Sequence, residues 1–217
     1  YLRQLRENAR MQRKDAFILG EVWEDASNKI AYDARKRYYL GEELDGVMNY
    51  PLRTGLISYI KEGKTDALSY ALLTVTANAP KRIADAQMNL LGTHDTERVL
   101  TVLGGVEGDG LPNEELATLR MSTEQRDIAR ERLKMAYTAL ATLPGIPTVY
   151  YGDEAGLEGY HDPFNRMPFP WGREDGELLA HYRTLGAIRH KYAVYREGEL
   201  VLLHLDEKLL VFARIGQ

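Results

Sequence analysis

The sequence predicts an α/β fold in which parallel strands alternate with helices. Three observations carry this. Short apolar runs recur at 17–22, 44–52, 87–92 and 148–151. Helical patterns stand between and after them, most clearly from Ser122 onward. The ending differs in kind, with two short β-rich runs at 199–205 and 208–215 around Asp206-Glu207. Alternating strands and helices imply a parallel sheet with right-handed crossovers. Four such units make half of a (β/α)8 barrel, and the chain is too short for a whole barrel of about 250 residues with a β tail.

Taken in order, residues 1–13 place Leu2, Leu5 and Ala9 on one side of a helix. Phe17-Ile18-Leu19-Gly20-Glu21-Val22 is almost wholly apolar and too short for a buried helix, so it reads as a strand covered on both faces. Leu44–Leu52 is the second strand, and 66–78 is apolar enough for a buried helix. Gln87–Gly92 is the third strand. Ser122 with Gln125 makes a capping-box signal. Behind it Ile128, Ala129, Leu133, Ala136, Leu140 and Leu143 keep to one arc. Thr148–Tyr151 is the fourth strand, stopped by Gly152. A Pro-rich loop covers 162–171, and a helix runs from about Glu174 to His190. The last two runs form a hairpin. These patterns divide the chain into a barrel portion, 1–192, and the start of a small β-rich C-terminal domain, 193–217.

Composition narrows function. Of 217 residues, 44% are hydrophobic and 28% charged, ordinary for a globular chain. Lys and Arg total 28 against 32 Asp and Glu, a formal charge of −4. That balance argues against nucleic acid and anionic membrane as partners. No apolar run reaches the roughly 18 residues of a membrane span. With no cysteine, disulfides and Cys-based metal sites are excluded, although the compartment stays open. The opening YLRQLRENARMQRKD lacks an initiator Met and the pattern of a signal peptide, and starts inside a helix; the expectation is a chain cut from something longer.

Two strands end in acids. Glu21 closes the first, and Asp95 follows the third in Leu91-Gly92-Thr93-His94-Asp95. In a parallel barrel the C-terminal strand ends converge on one site. Glycosidic cleavage needs such a set: a carboxylic acid to protonate the leaving oxygen and carboxylates to face the positive charge developing on the sugar. The apolar neighbours Val22 and Trp23 suit Glu21 to the part of proton donor. On spacing alone, each acid also reads as a helix cap or a salt-bridge partner, Asp95 especially, because Thr96-Glu97-Arg98 can open a helix.

Combined, the motifs resemble those of glycoside hydrolase family 13. Gly20-Glu21-Val22-Trp23 resembles its fifth-strand motif, in which the Glu is the acid/base. Leu90–Arg98, LLGTHDTER, resembles the seventh-strand motif, in which the Asp stabilises the transition state and the His bonds sugar hydroxyls. Pro144–Gly156, PGIPTVYYGDEAG, resembles the eighth strand and its loop. Asp162-Pro163-Phe164-Asn165-Arg166, with Trp171 beyond, resembles a loop of the neopullulanase and cyclomaltodextrinase branch. The motifs come in family order and cover nearly the whole chain.

The resemblance implies the second half of the barrel, strands five to eight. It implies Glu21 and Asp95 as catalytic residues and His94, Asp162 and Arg166 as ligands of an α-glucan. Trp23 lines the site past the scissile bond or is a core residue. Arg98 supports the carboxylates or caps structure locally. Tyr50 is pocket or core, and Asp153 and Glu154 are loop hydrogen-bonders. Thr93 stands where the family usually has Asn, a trait of the same branch. Nothing matches the fourth-strand motif that carries the nucleophilic Asp. The expectations are therefore an inactive isolated chain, and an open barrel covered by an N-terminal half-barrel or by self-association. No cofactor is required. Calcium is not readable: oxygen ligands abound, but no EF-hand-like spacing occurs. Two other readings stay open, a non-catalytic glucan-binding half-barrel and a transglycosylase or trehalose-synthase-like member.

Overall fold

The computed structural model describes residues 1–106 and 108–216. Helix α1 (Leu2–Gln12) leads to strand β1 (Leu19–Gly20). A small antiparallel pair follows, β2 (Ile30–Ala31) and β3 (Ala34–Arg35), and then β4 (Gly46–Val47). Helices α2 (Tyr50–Glu62), α3 (Asp66–Leu73) and α4 (Lys81–Ala84) come next, with a π-helical turn at Thr74–Asn78 between the last two. Strand β5 (Met88–Asn89) precedes α5 (Val99–Gly104), α6 (Asn113–Leu116) and α7 (Thr123–Thr142). Strand β6 (Ile146–Pro147), α8 (Gly176–Lys191), α9 (Val194–Glu197), β7 (Glu199–Leu205) and β8 (Leu210–Ile215) complete the order.

The parallel strands stand in one row. β1 pairs with β4 through Leu19↔Gly46 and Gly20↔Val47. A parallel bridge, Met48↔Met88, joins β4 to β5. β5 pairs with β6 through Met88↔Ile146 and Asn89↔Pro147. Chain order and row order coincide. The helices that cross over pack into one core, in which Leu56, Leu68, Leu100, Leu103, Leu133, Leu140 and Leu178 are fully buried. A second cluster of Val22, Ala26, Tyr39, Leu44, Val47 and Ile83 lies around β1 and β4.

Several expectations are corrected. The run 44–52 is not one strand. Asn49 stops it and caps α2, its side chain accepting from the Leu52 N–H at 3.3 Å, with Pro51 in the first turn. Pairing at 17–22 is confined to Leu19 and Gly20, and one side of that run is open: Phe17 and Leu19 are exposed. The last parallel strand pairs at Ile146–Pro147 rather than 148–151, and only the Thr148 N–H, bonded to the Asn89 carbonyl at 2.8 Å, prolongs the ladder. In α1 the buried residue is Arg6, bonded to Asp45 at 2.6 Å, while Leu5 faces outward. The 66–78 helix changes to a π-turn at Thr74. There the Thr74 and Thr76 hydroxyls donate back to the Tyr70 and Leu72 carbonyls at 2.8 and 2.9 Å.

The capping box of α7 forms as the sequence implies: Gln125 N–H to Ser122 Oγ at 3.1 Å, and Ser122 N–H to Gln125 Oε1 at 2.9 Å. Ala129, Leu133, Ala136 and Leu140 are buried along it, whereas Ile128 is exposed. Ser122→Ala is expected to lower stability by about 1 kcal/mol, read from chemical denaturation with an unchanged m-value. The hairpin β7–β8 is antiparallel, with an irregularity between Leu202 and His204, and Asp206 accepts the Lys208 and Leu209 N–H groups in its turn. Leu200, Leu205, Leu210 and Phe212 pack it on the helical core.

Candidate active site

The predicted residues sit just beyond the C-terminal ends of the parallel strands. Glu21 follows β1 directly and is exposed. Its Oε1 accepts from the Trp23 indole Nε1–H at 2.9 Å. Trp23, half exposed, stacks on Tyr50 with ring centroids 3.9 Å apart and planes 12° apart. Tyr50 opens α2 just after β4 and is buried. Of the two apolar neighbours, Val22 points into the second core cluster, and Trp23 meets Glu21 through its polar indole N–H.

Asp95 follows β5 by way of a turn built on Thr93. The Asp95 N–H donates to Thr93 Oγ1 at 3.2 Å, and the Thr93 N–H donates to Thr96 Oγ1 at 3.0 Å. The hydroxyl at the departure from the family pattern thus shapes the turn that presents Asp95. His94 Nε2 lies 3.1 Å from Asp95 Oδ2. Asp95 does not begin α5, so it is not a helix cap; Arg98 occupies that position.

Tyr50 ties the two acids together. Burial raises its hydroxyl above the usual tyrosine range, the neighbouring Thr93 hydroxyl opposes this, and the charges of Glu21 and Asp95 both push it further up. Its hydroxyl is buried beside Thr93 without a well-formed hydrogen bond. One side chain therefore feels both carboxylates, although they are 74 residues apart in sequence, 95 minus 21.

The 162–171 loop reaches the same place. Arg166 Nη2 is 3.5 Å from Asp95 Oδ1, and its Nε is 2.5 Å from Asp162 Oδ1. Asn165, fully buried, donates through Nδ2 to the His94 carbonyl at 2.8 Å and the Thr96 carbonyl at 2.9 Å. No sequence signal marked Asn165 as the pin between loop and turn; its neighbours in the Asp162–Arg166 motif were the only hint.

Arg98 departs from expectation. It touches neither Glu21 nor Asp95 and is 1% exposed, which removes it from contact with a ligand. Its guanidinium lies over the Tyr150 and Tyr151 rings, 4.2 and 4.7 Å from their centroids. Nη1 donates to the Tyr151 carbonyl at 2.5 Å and to Asp153 Oδ1 at 3.1 Å. Burial pushes the Asp153 carboxyl up to about 7, with Arg98 opposing. Asp153 is also held tightly against the Gly92 backbone, leaving no room there for a Cβ. The pair thus joins the loop after β6 to the turn after β5. Among the described residues, no group of three His, Cys, Asp or Glu side chains is arranged to hold a metal ion.

Comparison with known proteins identifies the family. The model of the alpha amylase catalytic domain matches residues 1–185. The cyclomaltodextrinase of Geobacillus thermopakistaniensis is 31% identical over 220 residues, covering 99% of this chain and 32% of that protein. The amylopullulanase of Thermoanaerobacter thermohydrosulfuricus is 34% identical over 212 residues, covering 92% of this chain and 13% of that protein. Among solved structures, the cyclic α-maltosyl-(1→6)-maltose hydrolase of Arthrobacter globiformis superimposes with a TM-score of 0.79 at 29% identity, over 100% of this chain and 42% of that one. The chain belongs to the alpha-amylase catalytic-domain family, glycoside hydrolase family 13. Its structural relatives have the barrel-type α/β fold of that family, and the chain spans about a third or less of the length of these curated relatives.

Proposed function

We propose that residues 1–192 are the second half, strands five to eight, of a catalytic (β/α)8 barrel, and that residues 193–217 begin a β-rich C-terminal domain. In this reading the site cleaves α-1,4 glucosidic bonds with retention, with α-1,6 bonds a further candidate. Glu21 protonates the leaving oxygen and later deprotonates water. Asp95 faces the positive charge that develops on the ring. His94, Asp162 and Arg166 hold sugar hydroxyls on one side of the bond, and Trp23 offers a face to the sugar on the other. The observation that carries the reading is the path of contacts between the two acids: Glu21 accepts from the Trp23 indole, Trp23 stacks on Tyr50, and Thr93, beside Tyr50, accepts the Asp95 N–H.

Retention needs a second carboxyl about 5–5.5 Å from the acid/base, placed to attack the anomeric carbon. The family's nucleophile motif has no match in residues 1–217, and Glu21 cannot protonate and attack at once. Among the described residues the barrel row also ends in two unpaired edges, β1 and β6, where Leu19 is 42% and Ile146 is 48% exposed. Unpaired edges with apolar side chains favour association. We assign their cover to a nucleophile-bearing N-terminal half-barrel.

Two measurements test this. The 217-residue chain alone is expected to release no reducing sugar from maltooligosaccharide, cyclodextrin or pullulan, and to self-associate in light scattering. Co-expression with the N-terminal segment of a cyclomaltodextrinase is expected to give a 1:1 complex that does release it. Turnover by the pure chain, or a compact monomer that ignores the other half, would overturn the reading.

A further inference from the structure

The turn that presents His94 and Asp95 has no regular secondary structure of its own, since β5 ends at Asn89 and α5 begins at Val99. Three of its carbonyls are held by side chains from elsewhere in the chain. Asn165 takes two of them, those of His94 and Thr96. The third, that of Leu91, accepts from Arg53 Nε at 2.7 Å. Gly92 follows at once, pressed so closely by the Asp153 carboxyl that a Cβ would not fit. The start of the turn is thus fixed by Arg53 and its end by Asn165.

Arg53 reaches Leu91 from α2. Tyr50 opens that helix, and a spacing of three residues puts Arg53 on the same face as Tyr50. Helix α2 follows β4 and the turn follows β5, so the bond ties two neighbouring strand-to-helix connections together. A second tie lies at the strand ends themselves, where Asn49 Nδ2 donates to Asn89 Oδ1 at 3.0 Å. The two ties differ in charge: the lower joins neutral amides, and the upper is made by a guanidinium.

Packing alone does not account for a cation there. Burial lowers Arg53 from the ordinary arginine range, and the charges of Tyr50, Asp153 and Glu97 offset this only in part. Asp153 bonds Arg98 at 3.1 Å, while the bond that Arg53 makes is to a main-chain carbonyl. A partly buried cation on a neutral partner is a costly way to stabilise a fold. What it supplies is a short, directional, charge-assisted bond. That bond falls at the one point where a shift of the chain would carry Asp95 with it.

We propose that Arg53 is a positioning residue for Asp95: it holds the turn that presents this carboxylate by the Leu91 carbonyl, and so links the helix that carries Tyr50 to the acid. The part played by Asp95 rests on the function proposed above; the hold on the turn does not.

Two measurements on Arg53→Met and Arg53→Lys test this. Met keeps the apolar stem and loses the donor, whereas Lys keeps a charged donor in a different geometry. In the 217-residue chain, Arg53→Met is expected to raise amide hydrogen exchange about tenfold in the segment 91–98, with α2 and α7 unchanged. The Thr93, Asp95 and Thr96 N–H groups, all bonded within the turn, report it. In the 1:1 complex with the N-terminal segment, the same variant is expected to lower kcat about 10–10²-fold. KM should change much less, because Asn165 still holds the His94 carbonyl. Arg53→Lys should recover part of both effects. Unchanged exchange in 91–98, or a rise spread equally over α2 and α7, would overturn the hold on the turn. An unaltered kcat in a complex that turns over would overturn the link to Asp95. A wild-type complex that never turns over would remove the function proposed above, and exchange then decides the hold by itself.

Discussion

Glu21→Gln is expected to lower kcat/KM on maltooligosaccharide by about 10²–10⁴-fold in a barrel completed by joining residues 1–217 to a cyclomaltodextrinase N-terminal segment. The amide keeps the shape of the side chain and can still bond the Trp23 indole through its oxygen, but it has no proton to give the leaving oxygen. The signature lies in the leaving group. A 4-nitrophenolate departs with little protonation, so the loss on 4-nitrophenyl maltoside should be much smaller at the bond-breaking step. Asp95→Asn removes negative charge beside the ring instead and should be costly on both substrates. Equal losses on the two substrates for Glu21→Gln would assign Glu21 to binding rather than to proton transfer.

Above pH 7, where the folded Asp153 carboxyl is ionised, Asp153→Ala is expected to cost about 3–5 kcal/mol of stability, because it leaves the Arg98 guanidinium buried without a counter-charge and Arg98 cannot shed its proton. Arg98→Met should cost less. Asp153 can respond to the loss of its partner by taking up a proton, and burial has already raised its carboxyl to about 7. Urea denaturation of the two variants measures the asymmetry, and an equal cost for both would contradict it. The same carboxyl sets a pH trend. Between the ordinary 3.8 and about 7, the folded carboxyl holds a proton that the unfolded one has released. The contribution of Asp153 to stability therefore falls as pH rises through that window, and Asp153→Asn should flatten that part of the profile.

The structure-forming signals that could be read in the sequence were local ones. Ser122 and Gln125 are three residues apart, so their reciprocal bonds need nothing beyond one helical turn. Asp206 likewise closes its own turn between two β-rich runs. Spacing alone left Glu21 and Asp95 open between site and cap; the resemblance of their motifs to the family singled them out, and the parallel row puts both beyond strand ends. The boundaries that failed were tertiary decisions. The pattern of 44–52 suits a strand, but the Asn49 side chain bonds the Leu52 N–H, and the chain turns into a helix. Leu19 reads as an apolar strand residue yet lies exposed at one end of the row, and at the other end the pairing falls on the exposed Ile146, outside the 148–151 run.

The sequence by itself determined the chemistry-bearing residue types, their order along the chain and the alternation that makes parallel pairing possible. Only the tertiary structure decided which of them meet. It placed Tyr50 between the fields of Glu21 and Asp95, sent Arg98 inward to Asp153 instead of out to the acids, and used Asn165 to pin a distant loop to the turn after β5. The physical reason is the same in each case. Which partner a buried polar group takes depends on what surrounds it in space, because an unpaired group away from water is costly and the nearest suitable atom is seldom a neighbour in sequence.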